Sequence, residues 1–279
     1  MKEENIKKAV RESYAKVVTS NSCCCSAPVT NCCGQVDLAK EISSNIGYTK
    51  DDLGKAPGSS NLGLGCGNPI ALASLKKGEV VLDLGSGAGF DCFLAADKVG
   101  PEGKVIGVDM TPEMVDKARD NARKNNFTNV EFKQGEIESL PVADGIIDII
   151  ISNCVINLSP DKDSVFSEAF RVLKPGGRIM VSDIVLAKEL PDFIKNNVSA
   201  YVGCISGAII KYDYLNAIKK AGFTDVKILD EVNFPIKYMV SDNAAVIIKN
   251  GLNLTKDMIG YLEKSILSIN VYALKPKIQ

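Results

Sequence analysis

Histidine is absent from all 279 residues, and with it the side chain most often used to take up a proton near neutral pH. A reaction centre in this chain must use another base or act on an atom that carries no proton. Surplus charge is missing too: 33 Lys and Arg face 34 Asp and Glu, a formal net charge of −1. Such a balance gives no support to a phosphate-tracking groove or an anionic membrane patch, so nucleic acid is not an expected partner. The opening MKEENIKKAVRES alternates charged and apolar residues and lacks the unbroken apolar stretch of a secretion signal, and no segment is long and apolar enough to cross a bilayer. The expectation is a cytosolic protein with no membrane partner, in a compartment that keeps thiols reduced. No internal repeat is visible, and nothing demands more than a monomer.

What the chain does have is sulfur. Nine cysteines in a reducing compartment read better as ligands or redox groups than as structural staples. Five of them, Cys23, Cys24, Cys25, Cys32 and Cys33, crowd the stretch SNSCCCSAPVTNCCGQ, whose Ser, Asn, Pro and Gly predict a loop. Neighbouring cysteines have Cα atoms about 3.8 Å apart, below the usual disulfide range, so bonds within a CC pair are strained. These thiols pair with a distant partner such as Cys66, capture a metalloid and pass it inward, or form a dispensable metal-sequestering tail.

The predicted elements begin with an amphipathic helix over Ile6 to Val18, with Ile6, Ala9, Val10 and Val17 on one face, and a short helix over Asp37 to Ile46. A glycine-rich connection follows from Asp51 to Pro69. Beyond it helices and strands alternate, the mark of a parallel sheet with helices on both faces. Strands are predicted at Val80 to Leu84, Lys104 to Asp109, Val130 to Gln134, Ile147 to Ser152 and Arg178 to Asp183, and helices at Phe90 to Val99, Pro112 to Asn125 and Lys162 to Leu173. KPGG at Lys174 to Gly177 stops the last of these helices and turns into the fifth strand. Pro191 to Gly222 reads as mostly helical, and late strands are predicted at Asp225 to Asn233 and Ser265 to Leu274, with a helix opened by Thr255 between them. Three regions are expected: 1–68, an N-terminal helix with cysteine-rich and glycine-rich loops; 69–187, an α/β core; and 188–279, a C-terminal α+β extension that completes the sheet.

VVLDLGSGAGFD, Val80 to Asp91, runs a β-branched strand into a glycine-dense turn and then a helix. Gly85, Gly87 and Gly89 let the backbone turn sharply and approach a ligand with no side chain between. Twenty residues past Gly89, VIGVDM ends a strand with Asp109, placed to accept hydrogen bonds from ribose hydroxyls. A glycine turn alone is weak; in this context it points to a nucleoside cofactor. The absence of a third glycine at the dinucleotide spacing favours S-adenosylmethionine (SAM), which has no pyrophosphate to cradle, over NAD. Met110 is placed to cover adenine, with core packing the equal alternative. Glu136, after a third strand, is placed to meet the adenine amino group, and Asp83 to orient the turn; Ile137 and Asn153 flank the same site.

In open parallel sheets ligands sit beyond the carboxyl ends of the strands. Cys154 follows the fourth strand, Cys204 lies in the segment after the fifth, and Cys66 precedes the first in a loop rich enough in glycine to fold over the pocket. Structural zinc sites use close cysteine spacings, whereas these three lie far apart and offer three ligands. Trivalent arsenic takes three thiolates and keeps a lone pair, itself a nucleophile without a proton, so methylating it needs no histidine base. Each cysteine singly is ordinary as a buried small residue. Three at loop positions around one cofactor are not.

From about Leu62 to Gly222, through NLGLGCGNP, DLGSGAGFD, VIGVDMTPEM, SNCVINLSPDK, RVLKPGGR and the Cys204 segment, the chain resembles the arsenite methyltransferases. That resemblance implies a Rossmann-like class I SAM-dependent methyltransferase fold with a mostly parallel seven-stranded sheet. It implies As(III) bound by Cys66, Cys154 and Cys204, a further amino-terminal cysteine forming a disulfide during turnover (here Cys32 or Cys33), successive methylation, and thioredoxin or glutathione restoring the thiols. It also places Tyr14, in the opening helix, over the methionine end of the cofactor, with packing as the alternative. Two rivals remain at this stage: a carbon or oxygen methyltransferase acting on a lipid or quinone, and a thiol sensor or metalloid-sequestering protein that binds SAM without using it.

Overall fold

In the computed structural model, which describes residues 3–20, 32–234 and 256–277, one sheet of seven strands organises the chain. The strands are β1 (Val80–Leu84), β2 (Lys104–Asp109), β3 (Val130–Gln134), β4 (Ile147–Asn153), β5 (Leu173–Leu186), β6 (Thr224–Asn233) and β7 (Ile266–Leu274). Their order is β3-β2-β1-β4-β5-β7-β6. Only β7 is reversed, pairing antiparallel with β5 on one side and β6 on the other. The near-continuous apolar runs of β1, β2 and β4 follow from burial on both faces, which helices cover.

The helices are α1 (Glu3–Ser20), α2 (Cys32–Asn45), α3 (Lys50–Lys55), α4 (Pro69–Leu72), α5 (Phe90–Val99), α6 (Pro112–Lys124), α7 (Lys162–Val172), α8 (Asp192–Lys195), α9 (Val198–Val202), α10 (Lys211–Lys220) and α11 (Lys256–Ser265). Helix α6 shows why they form: Met114, Val115, Ala118 and Ala122 repeat at helical spacing and are buried, while Lys and Arg occupy the outer face. In α1 the buried stripe is Ile6, Val10 and Tyr14, one residue per turn, packed onto the apolar cluster that contains Cys66, Cys154 and Cys204. Burying Val10 there contributes about 2 kcal/mol towards holding the helix down.

Most bounds fall within a few residues of expectation, and the larger departures have local reasons. β5 begins at Leu173 and passes through KPGG, whose excursion is absorbed as an irregularity in its pairing with β4 between Ile147 and Ile149. The connection from Asp51 contains α3, started by a reciprocal cap in which Thr49 Oγ1 accepts from Asp52 N–H and the Asp52 carboxylate accepts from Thr49 N–H. Helix α2 starts at Cys32, inside the predicted loop.

The order β3-β2-β1-β4-β5 reverses direction between β1 and β4, and there the loops leaving the two strands part to open a crevice. None of the described helices is long and apolar enough to cross a membrane.

Candidate active site

A cleft open to solvent lies at that crevice. Asp83, Gly85 and Gly87 line it from β1 and its turn, Asp109 and Met110 from β2, Ile137 from the loop after β3, and Asn153 and Cys154 from β4. Tyr14 closes it from α1. Nine of the residues singled out in the sequence therefore meet around one space.

Gly85 has φ +68°, and a Cβ there would lie 2.3 Å from Val155 Cγ2, so only glycine fits. Gly87, at φ +51°, would meet nothing closer than Met114 Sδ at 3.9 Å, which leaves its backbone open to a ligand. Gly89 has a different task from the one expected. It does not line the cleft; its missing Cβ makes room for the Phe132 and Phe93 rings at 2.8 Å, packing α5 against the sheet.

Asp109 accepts hydrogen bonds from the N–H groups of Gly87 at 2.9 Å and Thr111 at 2.8 Å. Burial pushes its carboxyl up, and those two donors partly offset the shift. Two buried donors on the cleft wall, Asn61 Nδ2 and Ser86 Oγ, have no hydrogen-bond partner among the described residues. Orphaned donors beside a glycine turn and a buried acid fit a polar ligand such as a nucleoside.

Glu136 departs from the expected contact with adenine. Its carboxylate accepts from Lys7 Nζ at 2.7 Å and faces Arg11 of α1, and the neighbouring Gly135, Ile137 and Glu138 line the cleft in its place. Lys7 also pairs with Glu138 at 3.0 Å, so α1 is tied to the loop after β3 by one lysine held between two acids. Burial works against the Lys7 charge, but the hydrogen bonds to Glu136 and Glu138 outweigh it and raise its pKa.

Cys66 and Cys154 are joined by a disulfide, with Cα atoms 5.7 Å apart. Cys204 is a buried free thiol whose Sγ lies 3.2 Å from the Cys154 carbonyl oxygen. All three share one buried apolar cluster at the cleft floor, although Cys154 alone of them lines the cleft. Cys66 is thus bonded to Cys154 and not to an amino-terminal thiol, the pairing expected as one of the alternatives for the cysteine cluster. Cys23, Cys24 and Cys25 lie outside the described residues; Cys32 and Cys33 open α2, and their side chains also lie outside them.

The Cys66 loop is pinned down, contrary to the expectation of a flexible flap. Cys66 N–H donates to Asn153 Oδ1 at 3.0 Å, Ser268 Oγ donates to the Cys66 carbonyl at 2.9 Å, and Asn153 Nδ2 donates to the Gly67 carbonyl at 2.8 Å. A Cβ on Gly65 would sit 2.7 Å from Asn153 Nδ2, and one on Gly67 would sit 2.9 Å from Ser182 Oγ. Glycine in this loop serves close approach to β4 and β5.

Cys154 and Cys204 both adopt left-handed backbone conformations, φ 59° and 61°. That conformation is costly for a non-glycine residue and persists where the surroundings enforce it, as at functional sites. Burial first, then the nearby Asp183 charge, pushes the Cys204 thiol up to about 12, while Tyr14 and Lys162 act in the opposite direction.

Several site residues escaped the sequence reading. Tyr48 Oη donates to Asp91 Oδ1 at 2.6 Å, and Asn153 Nδ2 reaches both Tyr48 Oη and Asp91 Oδ2 at 3.0 and 3.2 Å. Burial pushes Asp91 up to about 6, and it also raises the adjoining Asp83, which accepts from Cys92 Sγ. Asp183, fully buried at β5, has a carboxylate oxygen within 4.8 Å of both the Cys66 and Cys154 sulfurs. The same reasoning that flagged Asp109, an acid at the carboxyl end of a strand, points to Asp183. Tyr48 left no sequence signal of its own.

Residues 75–222 match the family described as a methyltransferase domain. The chain is 48% identical over 231 residues to the arsenite methyltransferase of Halobacterium salinarum, covering 81% of this chain and 59% of that protein. It is 39% identical over 231 residues to the arsenite methyltransferase of Aquipseudomonas alcaligenes, covering 80% and 63% respectively. The chain thus spans about three-fifths of the length of these curated relatives. Among solved structures, an arsenic(III) S-adenosylmethionine methyltransferase from Chlamydomonas reinhardtii superposes with a TM-score of 0.63 at 33% identity, covering 86% of this chain and 73% of that one. On these likenesses the chain belongs to the SAM-dependent methyltransferases and, within them, to the arsenite methyltransferase family.

Proposed function

We propose that this protein transfers methyl groups from SAM to trivalent arsenic held by the thiolates of Cys66, Cys154 and Cys204, in arsenic detoxification. The observation that carries the reading is the convergence of three cysteines, 88 and 50 residues apart, on one buried cluster beside the cleft: Cys66 is bonded to Cys154, and Cys204 Sγ lies 3.2 Å from the Cys154 carbonyl oxygen. A lipid or quinone methyltransferase has no use for that arrangement, and a metalloid-sequestering protein has no use for the cleft.

SAM, when bound, supplies an electrophilic methyl group on a sulfonium. The residues proposed to hold it are Gly85 and Gly87 at the turn, Asp109 towards the ribose, Met110 and Ile137 about the base, and Asp83, Asn153 and Tyr14 towards the methionine end. Glu138 takes over the role first assigned to Glu136. Arsenic capture requires the disulfide to be opened: two electrons and two protons from a thiol reductant of the thioredoxin or glutathione class return Cys66 and Cys154 to thiols. The three thiol protons then leave with the hydroxyls of arsenous acid as water. Cys32 or Cys33 is the proposed amino-terminal redox partner, and a cytosolic monomer acting on a small molecule, without nucleic acid, is the proposed setting.

Incubation of the reduced protein with arsenite and SAM, followed by mass spectrometry of the arsenic species, tests the activity directly; methylated arsenic is the expected product. Calorimetric titration of As(III) into Cys154→Ser and Cys204→Ser tests the ligand set. Undiminished affinity in both variants rules out the thiolate site.

A further inference from the structure

Resting on the arsenic-methylation reading, we infer that the Asp183 carboxylate is the electrostatic partner of the arsenic centre, stabilising the positive charge that methyl transfer delivers there. Three thiolates on As(III) make a neutral group. When its lone pair forms the As–CH3 bond, the C–S bond of the donor breaks, its electron pair stays on the donor sulfur, and the sulfonium becomes a neutral thioether. Arsenic is formally oxidised from III to V, and the single positive charge has moved onto it.

That charge arrives in an apolar cluster, where an unpaired cation is expensive. Asp183 is the carboxylate at the cluster: 0% exposed, with an oxygen within 4.8 Å of two of the three proposed arsenic ligands. It is held in place by Tyr214 Oη at 2.9 Å and its neighbour's Ile184 N–H at 3.0 Å. Among the described residues no Lys or Arg pairs with it within 4 Å; Lys162, the nearby buried cation, instead donates to the Ser159 carbonyl at 2.9 Å. The acid is therefore oriented without a direct ion pair; burial pushes its carboxyl up to about 7, while the Ile184 and Tyr214 hydrogen bonds and the Lys162 charge favour the ionised form.

Its position opposes the resting thiols, since a neighbouring negative charge disfavours thiolate. A carboxylate that works against capture of the substrate gains a purpose when the bound group turns cationic. Preorganised charge aimed at where charge develops, in a site closed to water, is the general device by which enzymes lower such barriers.

The comparison is reduced wild type against Asp183→Asn, with three measurements: As(III) affinity without SAM, SAM affinity, and the single-turnover rate of methyl transfer. Expected are As(III) affinity equal or tighter, SAM affinity unchanged, and transfer slower by on the order of 10- to 100-fold. A wild-type rate in a variant that still binds arsenic overturns the inference, as does loss of arsenic binding in step with the rate. Should Asp183→Asn not fold, Asp183→Glu and Asp183→Gln repeat the contrast of charge at constant shape, and equal rates in that pair overturn it. Tyr214→Phe keeps the charge while removing its hydrogen bond; a rate within about threefold of wild type is expected, and a drop as deep as that of Asp183→Asn assigns the effect to packing. Absence of methylated arsenic from the wild type itself defeats the underlying activity and is seen before any variant is made.

Discussion

Asn153 binds both sides of the site at once: its Oδ1 accepts the Cys66 N–H at 3.0 Å while its Nδ2 reaches Asp91 Oδ2 at 3.2 Å. One amide thus fixes the loop bearing a proposed arsenic ligand and a buried acid that lines the cleft. Its neighbour Cys154 is bonded to Cys66 and lines the cleft.

Asn153→Ala leaves the Cys66 N–H and the Gly67 carbonyl without their present partner. Each buried group so orphaned costs roughly 1–3 kcal/mol. The expected outcome is a fall of about tenfold or more in As(III) affinity together with weaker SAM binding, both read by calorimetry on the reduced protein. Loss of one affinity with full retention of the other contradicts the shared role.

Gly85→Ala places a methyl group against the Val155 side chain at 2.3 Å and demands φ +68° of an alanine. Strain of this kind costs roughly 1–3 kcal/mol, and overpacking adds to it. SAM affinity is expected to drop at least tenfold and the unfolding midpoint to fall. In Gly87→Ala, where the added Cβ meets nothing nearer than 3.9 Å, the loss of stability is expected to be smaller. Equal stability losses at the two positions argue against the Val155 contact as the cause.

Buried acids set the pH dependence. Asp91 titrates at about 6 in the fold because burial disfavours its charged form, against an ordinary value near 3.9 in an unfolded chain. The folded state therefore holds its proton more tightly, so this contribution to stability is full below about pH 4 and is lost as the pH rises through about 6. Urea midpoints for the wild type are expected to decline across that window, and Asp91→Asn to flatten the decline in part, since burial raises Asp83 and Asp183 in the same direction. An Asp91→Asn curve parallel to the wild type refutes the assignment.

Strand limits, the glycine turn and the acid closing β2 were legible in the sequence because each depends on residues a few places apart. β1, β2 and β3 have the predicted bounds, as steric and apolar patterns within five or six residues decide where a buried strand runs. Glu136 and Glu138 show the limit of such reasoning. Both carboxylates lie in the same short loop, and only the docking of α1, with Lys7 between them, decides which one faces the cleft.

By itself the sequence pointed to the mostly parallel sheet, to SAM as the cofactor and to the three cysteines worth watching, all consequences of local pattern and of chemistry that dispenses with histidine. Tertiary structure alone decided that Cys66 is bonded to Cys154, that Asn153 and Ser268 hold its loop down, and that Asp183 stands beside the sulfurs. The reason is register: these contacts join Cys66 to residues 87 to 202 positions away, and the alignment of β4, β5 and β7 that brings them together comes from packing the whole sheet.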